Sequence, residues 1–565
     1  MRKILLLLAL CAWGCQSKKI TADLIIRGGT IYTVNEAFPT VEAVAVKGDT
    51  IVFAGSLSDV SAYEGEDTEI VDLNGATMTP GFIESHGHIM GLGYSEMNLD
   101  LMEVKSYEEL VEKVKNAVAV AQPGQWIIGR GWHQDKWDSK PDKMVKGFQT
   151  HEKLSAVSPD NPVYLGHASG HAGFANAKAM QIAGVNQLSL EKLSSEMGEG
   201  GEIIRDKFGN PTGIFNERAQ SLIVRFIPKN SPETDAKALT LAMEACGRNG
   251  ITSFHDAGAS RTAIDLFKQF RTEGRLKTRL YVMITGWDRE LIREWYARGP
   301  EIDPRGVTIR SIKLNCDGAL GSRGAWLLEP YTDRPDTHGM PTFPMDTVLT
   351  ISREGLQHGF QICSHAIGDR ANSEVLNRYE TAFRENPDKK DHRFRIEHAQ
   401  HLHPDDIPRF GKLGVIPAMQ AVHLSSDRPW AIERLGEKRI REGAYMWQAL
   451  LKTGAVVING TDVPVEPITP IASFFASVSR QTLKGEPEGG YEPDQKMTRE
   501  QALRSYTLDA AFGAFEEKVK GSIEVGKLAD FTVFSQDIMT VPEGELLNTQ
   551  IVMTVLGGKK VYDRK

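Results

Sequence analysis

The first part of the chain alternates short apolar runs with tight turns. Apolar and β-branched residues run through Asp23–Arg27, Thr30–Val34, Val41–Val46 and Thr50–Gly55, and Gly48-Asp49 separates the last two runs. Short β-branched runs divided by glycine and aspartate are typical of antiparallel strands. The pattern therefore predicts a small antiparallel β unit at the start of the chain.

The last part of the chain repeats this pattern. Phe531–Phe534 and Ile551–Leu556 are apolar, and Gly557-Gly558 followed by Lys560–Tyr562 completes a predicted hairpin. Two small β units at opposite ends of a chain cannot each bury much surface alone. We therefore predict that residues 20–78 and 515–565 combine into one β-sandwich that flanks a central domain.

Between residues 79 and 514 apolar runs alternate with segments of helical periodicity. A helical stretch over residues 236–249 precedes Ile251–His255, and Gln361–His365, Arg393–His398 and Ala455–Gly460 are further short runs. This alternation predicts an α/β domain with a parallel sheet, either open or closed. Residues from about 100 to 245 break the alternation and are rich in glycine and aromatic residues. We interpret them as an insertion that caps the mouth of a barrel.

Several of these runs end in a side chain that can bind a metal ion or move a proton. His86-Gly87-His88 follows the run Ala76–Ile83. On a strand, residues i and i+2 point to the same face, so both imidazoles can meet one ion. The other candidates are Lys313, His365, His398 and Asp462. Each alone has a structural explanation as a core histidine, a surface lysine or a turn aspartate, but together they predict one metal site.

Residues 1–19 are predicted to be an export signal and tether. Arg2 and Lys3 precede the apolar run Ile4–Leu10, which is too short to span a bilayer. Cys15 follows a small residue, as at the lipidation site of bacterial lipoproteins. We expect a protein that is lipid-anchored to the cell envelope and faces the periplasm. The alternative is an ordinary cleaved signal peptide and a soluble periplasmic protein.

Charge and cysteine usage narrow the class of protein. The 565-residue chain has a net charge of −8 and contains no basic cluster, which argues against nucleic acid as a partner. Cys246, Cys316 and Cys363 lie in apolar or strand-like contexts. Their odd, low number argues against a fold that depends on disulfides.

Six stretches of the central and flanking sequence resemble a known family of enzymes. They are Pro80–His88, Gly250–Gly258, Lys313–Arg323, His365–Ala371, Ile396–Ala399 and Gly460–Pro467. In this order they resemble the amidohydrolase superfamily of metal-dependent hydrolases. Within it, they are most similar to the amidohydrolase-3 branch, which includes N-substituted formamide deformylases.

The resemblance implies a (β/α)₈ barrel whose strand ends carry the site. It implies that His86 and His88 end the first strand, Lys313 the fourth, His365 the fifth, His398 the sixth and Asp462 the eighth. The four histidines would bind one or two divalent ions, expected to be zinc. Where two ions are bound, a carboxylated Lys313 would bridge the two ions. Asp462 would accept a proton from the metal-activated water and pass it to the leaving nitrogen.

The expected reaction is hydrolysis of a non-peptide carbon–nitrogen bond in an amide, N-formyl or cyclic amide group by a metal-activated hydroxide. The alternatives are a deaminase or isomerase of a ring compound on the same scaffold, or a non-catalytic binding lipoprotein. Candidate contacts to the substrate are His133, His171, Arg323 and His423. The expected partner is a small molecule, and the membrane is reached only through the lipid anchor.

Overall fold

The computed structural model of the chain describes residues 20–134, 137–168, 170, 172–185 and 201–564. Cys15, with the rest of the predicted export signal, and His171 lie outside the described residues. Among the helices that the structure describes, none combines the length and the apolar character needed to cross a membrane. Cys246, Cys316 and Cys363 are buried free thiols.

The strands fall into an N-terminal group, one early barrel strand, an inserted group, the remaining barrel strands and a C-terminal group. In chain order they are β1 (Leu24–Tyr32), β2 (Thr40–Lys47), β3 (Thr50–Gly55), β4 (Glu69–Asp72), β5 (Thr77–Pro80), β6 (Phe82–Gly87), β7 (Leu99–Asp100), β8 (Ile127–Trp132), β9 (Met144–Val145), β10 (Phe148–Gln149), β11 (Val163–His167), β12 (Ala172–Ala175), β13 (Gly201–Arg205), β14 (Pro211–Glu217), β15 (Ile251–Ala259), β16 (Arg279–Thr285), β17 (Val307–Asn315), β18 (Gln361–Ala366), β19 (Arg395–His398), β20 (Ile416–Met419), β21 (Ile458–Asn459), β22 (Phe531–Phe534), β23 (Ile551–Leu556) and β24 (Lys559–Asp563).

The helices cover the outside of the barrel and the connections between strands. The α-helices are Leu57–Val60, Ile89–Met97, Tyr107–Val120, Glu152–Val157, Ala177–Ile182, Ser221–Val224, Pro232–Arg248, Arg261–Thr272, Arg289–Arg298, Met345–His358, Asp369–Glu385, Ile407–Leu413, Ala421–Gly443, Trp447–Lys452, Pro470–Ser479, Arg499–Ser505 and Leu508–Gly513. Short 3₁₀ helices are Ser61–Tyr63, Arg218–Gln220, Pro404–Asp406, Pro493–Gln495 and Glu543–Asn548.

Local sequence explains where these helices begin and which face they bury. Ser231 caps the helix Pro232–Arg248 by accepting a hydrogen bond from the Thr234 N–H, and proline fills the first helical position. The helix Arg261–Thr272 buries Ile264, Phe267 and Phe270, which repeat every three residues along one face. Burial of such apolar stripes against the barrel supplies most of the stabilisation of these helices.

Strands from both ends of the chain share one sheet. Its order is β24-β23-β22-β5-β1-β2-β3, with β4 paired to β1. β5 lies between the two ends, because it runs parallel to β1 and antiparallel to β22, where Met78 faces Val533. The two chain ends therefore share one sheet. The finer expectation, a β-sandwich over residues 20–78 and 515–565, stays a prediction.

The centre of the molecule is an eight-stranded parallel sheet in the order β6-β15-β16-β17-β18-β19-β20-β21. Two backbone hydrogen bonds beyond the strand ends draw its edges together. The Asp462 N–H donates to the His86 carbonyl and the His88 N–H donates to the Val463 carbonyl, both at 2.8 Å. The sheet is thus a nearly closed barrel, and the predicted TIM-like α/β fold is confirmed at this level.

A separate six-stranded sheet lies between the first two barrel strands in sequence. Its order is β13-β14-β12-β11-β8-β7, and Trp132 and Phe174 are buried in its core. Arg130 at the end of β8 reaches the barrel, where its Nη1 donates to the Pro464 carbonyl at 2.9 Å. This inserted sheet therefore contacts the carboxyl end of the barrel.

Candidate metal centre

The carboxyl ends of the barrel strands surround a cavity of about 810 Å³. All six residues predicted to form the metal site line it: His86, His88, Lys313, His365, His398 and Asp462. His86 lies in β6, Lys313 in β17, His365 in β18 and His398 in β19, whereas Asp462 follows β21. Because parallel strands end at the same edge of a barrel, residues hundreds of positions apart meet there.

Three of these residues form the tightest group. One ligand atom from each of His86, His88 and Asp462 lies within 4.8 Å of the other two. Asp462 Oδ1 is 3.3 Å from His88 Nε2 and 3.6 Å from His86 Nε2. Among the described residues, neither Asp462 Oδ1 nor His86 Nε2 has a hydrogen-bond partner, although both atoms are buried. Buried polar atoms are normally paired, so this group fits a cation that would complete it.

The spacing of the histidine pair depends on the glycine between its members. A Cβ at Gly87 would lie 2.6 Å from the ring of Phe254 and 3.0 Å from Val463. A side chain there would clash with the Phe254 and Val463 side chains unless these moved. Gly87 therefore lets His86 and His88 follow each other at the most crowded point of the strand end.

His365 and His398 extend the group across the cavity. Their ring centroids are 4.4 Å apart, and that of His398 is 4.9 Å from the ring of His86. His365 Nε2 has no hydrogen-bond partner among the described residues and lies 3.3 Å from Asp317 Oδ1. Lys313 is 3% exposed and lines the same wall. The four histidines and the lysine thus share one cavity, with His86 and His398 at its centre.

Residues behind the site orient two of the imidazoles. His86 Nδ1 hydrogen-bonds to Glu397 Oε2, and Arg395 binds Glu397 through two nitrogen–oxygen contacts of 2.7 and 2.8 Å. His398 Nδ1 donates to Gln420 Oε1 at 2.7 Å. A hydrogen bond at Nδ1 fixes the tautomer that leaves Nε2 available to a metal. These contacts therefore prepare both rings for coordination.

The segment that carries Asp462 is anchored to the first barrel strand. The Glu84 carboxylate accepts hydrogen bonds from the Thr461 N–H and hydroxyl, at distances of 2.7 to 3.0 Å. A Cβ at Gly460 would lie 2.2 Å from Glu84 Oε1, so this close approach requires glycine. Asp462 and His398 have φ angles of +59° and +74°. Left-handed backbone at non-glycine residues is costly and is concentrated at functional sites.

Electrostatics favours the protonation states that metal ligands need. Burial, with the nearby Lys313 charge, lowers the pKa of His86 to about 4, and burial holds the pKa of His398 well below its usual value. Burial alone would raise the pKa of Asp462, but the adjacent histidines His88 and His86 outweigh it and hold the pKa well below normal. Burial lowers the pKa of Lys313. Neutral imidazoles and an ionised carboxylate are the forms that bind divalent ions.

The candidate substrate contacts have different surroundings. Arg323 lines the cavity, but its guanidinium forms a two-point ion pair with Asp333, with nitrogen–oxygen distances of 2.6 and 3.2 Å. It therefore holds a loop as well as facing the site. His133 lines the cavity from the inserted sheet, with its ring centroid 4.5 Å from that of His167. His423 also lines it, and its buried Nε2 has no hydrogen-bond partner within the described part of the chain.

The second His-x-His pair of the chain, His401 and His403, is not part of the cavity wall. His403 caps the 3₁₀ helix Pro404–Asp406 and is 45% exposed, while His401 is buried beside Tyr445. His401 and His403 have the same spacing as His86 and His88, but they lie in a connection between a strand and a helix and do not line the cavity. This pair is a natural control for the first.

Sequence reasoning missed the residues that support the ligands: Glu84, Arg395, Glu397 and Gln420. One signal was present. Arg395 and Glu397 are charged residues in a strand whose residues are all buried, next to the candidate ligand His398. Charged groups are rarely buried unless paired, so two opposite charges in such a strand indicate a polar cluster. No feature of the sequence near Glu397 indicated that its hydrogen-bond partner would be His86.

The chain is similar to known proteins over almost its whole length. Residues 69–562 match the sequence profile of the amidohydrolase family. Protein LONG AFTER FAR-RED 3 of Arabidopsis thaliana is 30% identical over 96% of this chain and 92% of its own length. N-substituted formamide deformylase of Arthrobacter pascens is 27% identical over 96% of this chain and 98% of its own.

A solved structure extends the comparison to three dimensions. The crystal structure of an uncharacterised metal-dependent hydrolase from Pyrococcus horikoshii superposes with a TM-score of 0.73 at 28% identity, over 92% of this chain and 99% of that chain. The family match spans the barrel, the inserted sheet and the part of the terminal sheet formed by β4, β5 and β22–β24. The chain therefore belongs to the amidohydrolase family, in its amidohydrolase-3 branch, and is a metal-dependent hydrolase of carbon–nitrogen bonds.

Proposed function

We propose that this enzyme hydrolyses a non-peptide carbon–nitrogen bond in an amide, N-formyl or cyclic amide group. The observation that carries the proposal is the approach of His86, His88 and Asp462 within 4.8 Å at the carboxyl end of the barrel. The similarity to a relative named an N-substituted formamide deformylase supports an N-formyl substrate among these.

We propose that Asp462 is the residue that moves the proton. Its carboxylate is ionised at neutral pH, because the neighbouring histidines hold its pKa well below normal, and it lines the cavity. It accepts a proton from the attacking water and then donates it to the leaving nitrogen, which departs as a neutral amine. The anchoring of Thr461 to Glu84 keeps the carboxylate beside the two histidines during both transfers.

The ligand set proposed here is His86, His88, His365 and His398 with Lys313, holding one or two divalent ions, zinc first among them. When bound, such an ion polarises the scissile carbonyl and lowers the pKa of water. Glu397 and Gln420 keep the Nδ1 atoms of His86 and His398 engaged, so that each ring offers Nε2.

We also propose that Lys313 is carboxylated on Nζ. A buried ammonium among four imidazoles is unfavourable, and burial lowers the pKa of this lysine, which favours the neutral amine that reacts with carbon dioxide. Electron density for a carboxyl group on Nζ between two metal ions would support this proposal. Clear density for a bare amine would restrict the site to one ion.

The test of the proposed reaction combines metal content with turnover. The purified protein is expected to contain stoichiometric zinc or a related ion and to hydrolyse members of a panel of N-formyl, N-acyl and cyclic amides. His88→Gln should lose metal and turnover, whereas His403→Gln, in the second His-x-His pair, should retain both. A metal-free protein with no turnover on the panel contradicts the proposal, and ammonia release from ring amines alone would favour a deaminase.

The location of the enzyme is a separate proposal that rests on residues 1–19 alone. We propose export and attachment of a lipid to Cys15, after which the polar segment Gln16–Lys19 begins the tether. Expression in bacteria with labelled palmitate should label the wild-type chain and leave Cys15→Ala unlabelled. Release of unlabelled wild-type protein into the periplasm would indicate an ordinary cleaved signal peptide instead.

A further inference from the structure

The helix Ala421–Gly443 presents one stripe of side chains to the cavity. His423, Asp427, Trp430 and Arg434 all line it. Their spacing of four, three and four residues places them on one face of the helix. Glu466, from the segment after Asp462, lines the cavity as well, and it accepts a hydrogen bond from the hydroxyl of Ser426. This wall carries polar and aromatic groups that the proposed hydrolysis does not use.

Three arginines near this helix are already bound to other carboxylates. Arg434 and Arg323 both bind Asp333, with shortest nitrogen–oxygen distances of 2.5 and 2.6 Å. Arg428 binds Glu492 at 2.8 Å. None of these three guanidinium groups is paired with a carboxylate on the cavity wall.

Two carboxylates of the wall are left without a counter-ion. Asp427 accepts a hydrogen bond from the Gln400 side-chain amide at 3.2 Å, and Glu466 accepts its bond from Ser426. Among the residues that the structure describes, no lysine or arginine nitrogen lies within 4.0 Å of either carboxylate. Burial raises the pKa of Asp427 to about 6, against an opposing effect of His423. Unpaired carboxylates at a partly buried wall favour a cation from outside.

His423 provides independent evidence that a ligand belongs here. Its side chain lines the cavity, the residue is only 7% exposed, and within the described residues its Nε2 has no hydrogen-bond partner. A buried imidazole nitrogen without a partner is uncommon in a folded protein. The Trp430 ring on the same wall already has a cation of the chain over its face, because the guanidinium carbon of Arg434 lies 5.6 Å from the ring centroid.

We propose that Asp427 and Glu466, with His423, form a subsite for a positively charged amino group of the substrate. We name this group the acidic subsite. The substrate class is then an N-acyl or N-formyl amine that carries a second, cationic nitrogen away from the bond that is cleaved. This inference rests on the proposed function for its placement of the reacting bond, but the recognition of the cation is independent of turnover.

The test uses three probes that differ only at the end remote from the formyl group. They are mono-N-formylcadaverine, which is cationic, N-formylhexylamine, which is its neutral counterpart, and N-formyl-aminohexanoate, which is anionic. Binding is measured by calorimetry on the metal-loaded protein, and kcat/KM is measured in parallel. The wild type should prefer the cationic probe over the neutral one by about tenfold or more, as charge-assisted contacts allow.

Asp427→Asn and Glu466→Gln should each reduce this preference several-fold, measured as the ratio of kcat/KM for the cationic probe to kcat/KM for the neutral probe. Glu437→Gln, on the same helix with its side chain 70% exposed, should leave this ratio unchanged. Equal or undetectable binding of the cationic and neutral probes by the wild type overturns the acidic subsite. An equal loss of binding to the cationic and neutral probes in the variants also overturns the acidic subsite.

The two proposals can fail separately. Preferential binding of the cationic probe without hydrolysis of any probe would support the acidic subsite and count against the proposed function. Hydrolysis of all three probes at equal kcat/KM would support the proposed function and overturn the subsite. Preference for the anionic probe would overturn it as well, and would point to Arg130 instead.

Discussion

Two buried polar clusters lie at opposite ends of the barrel, and they differ in whether the chain itself pairs their polar atoms. At the amino end of β16, Arg279 binds the Asp530 carboxylate through two contacts of 2.7 and 2.8 Å and donates to the Arg305 carbonyl at 2.7 Å. Asp530 also accepts a hydrogen bond from the Gly557 N–H. This cluster joins the barrel to the terminal sheet, and the charges are satisfied by the chain itself.

The cluster at the carboxyl end of the barrel is incomplete. His86 Nε2, His365 Nε2, His423 Nε2 and Asp462 Oδ1 are buried without a hydrogen-bond partner among the described residues. Leaving a buried polar atom unpaired costs about 1–3 kcal/mol. The difference indicates that the Arg279–Asp530 cluster is structural, whereas the metal centre is arranged for groups that arrive from outside.

The largest expected effect is at the proton carrier. Asp462→Asn keeps the shape of the side chain but removes its ability to accept a proton, so kcat should fall by about 10²- to 10⁴-fold. Unfolding in urea should show that the variant still folds cooperatively, because asparagine keeps the shape of the side chain and the backbone hydrogen bond of residue 462 to the His86 carbonyl. Asp336→Asn, at a carboxylate that is 66% exposed, is the matched control and should leave kcat unchanged. An unaltered kcat in Asp462→Asn would remove this residue from the mechanism.

Arg279→Met should produce the opposite result. It leaves the Asp530 carboxylate buried without its partner, which should lower the free energy of unfolding by about 3–5 kcal/mol. Turnover per folded molecule should stay at the wild-type value. Arg334→Met, in an exposed pair with Asp336, should change the free energy of unfolding by less than about 1 kcal/mol. If Arg279→Met is as stable as the wild type, the contrast between the two clusters is wrong.

Removal of the metal directly tests the incomplete cluster at the carboxyl end of the barrel. A chelator should abolish turnover and lower the thermal midpoint, and added zinc should restore both. When the free ion is at about a hundred times its Kd, it should contribute about 2.7 kcal/mol to the free energy of unfolding. The measurement is differential scanning calorimetry before chelation, after it and after reconstitution. An unchanged midpoint and turnover after verified loss of the ion would contradict a metal site here.

Glu397→Gln should have the smallest effect on the metal centre, because it weakens the orientation of His86 without removing a ligand. Metal affinity should fall by about 10- to 100-fold, measured by competition with a chromophoric chelator. Glu374→Gln, whose carboxylate pairs with Arg378 on an outer helix, is the control and should retain wild-type affinity. Circular dichroism would identify a variant that fails to fold because Arg395 has lost its partner. A folded Glu397→Gln protein with wild-type affinity would show that this contact does not orient the ligand.

The parallel strands and the candidate ligands could be predicted from the chain, because these signals are local, whereas closure into a barrel was implied only by the family resemblance. Alternating apolar runs and helical segments indicated parallel strands, and polar residues at the ends of those runs indicated the ligands. Arg323 shows the limit of such reasoning. Its position in a loop after a strand end was compatible with binding a substrate carboxylate, yet its guanidinium is bound to Asp333 within the chain. Partners ten or more residues away leave no periodic signal.

The sequence by itself determined which elements form and which residue types stand at their ends, including His86-Gly87-His88 at the end of β6. The tertiary structure alone decided which of these side chains meet. Strand order and barrel closure bring Asp462 to His86 and His88, and put Glu397 behind His86. The same closure turns the stripe of His423, Asp427, Trp430 and Arg434 towards the cavity. The physical reason is that periodicity is a property of neighbouring residues, whereas contacts across a barrel depend on the register of every strand between them.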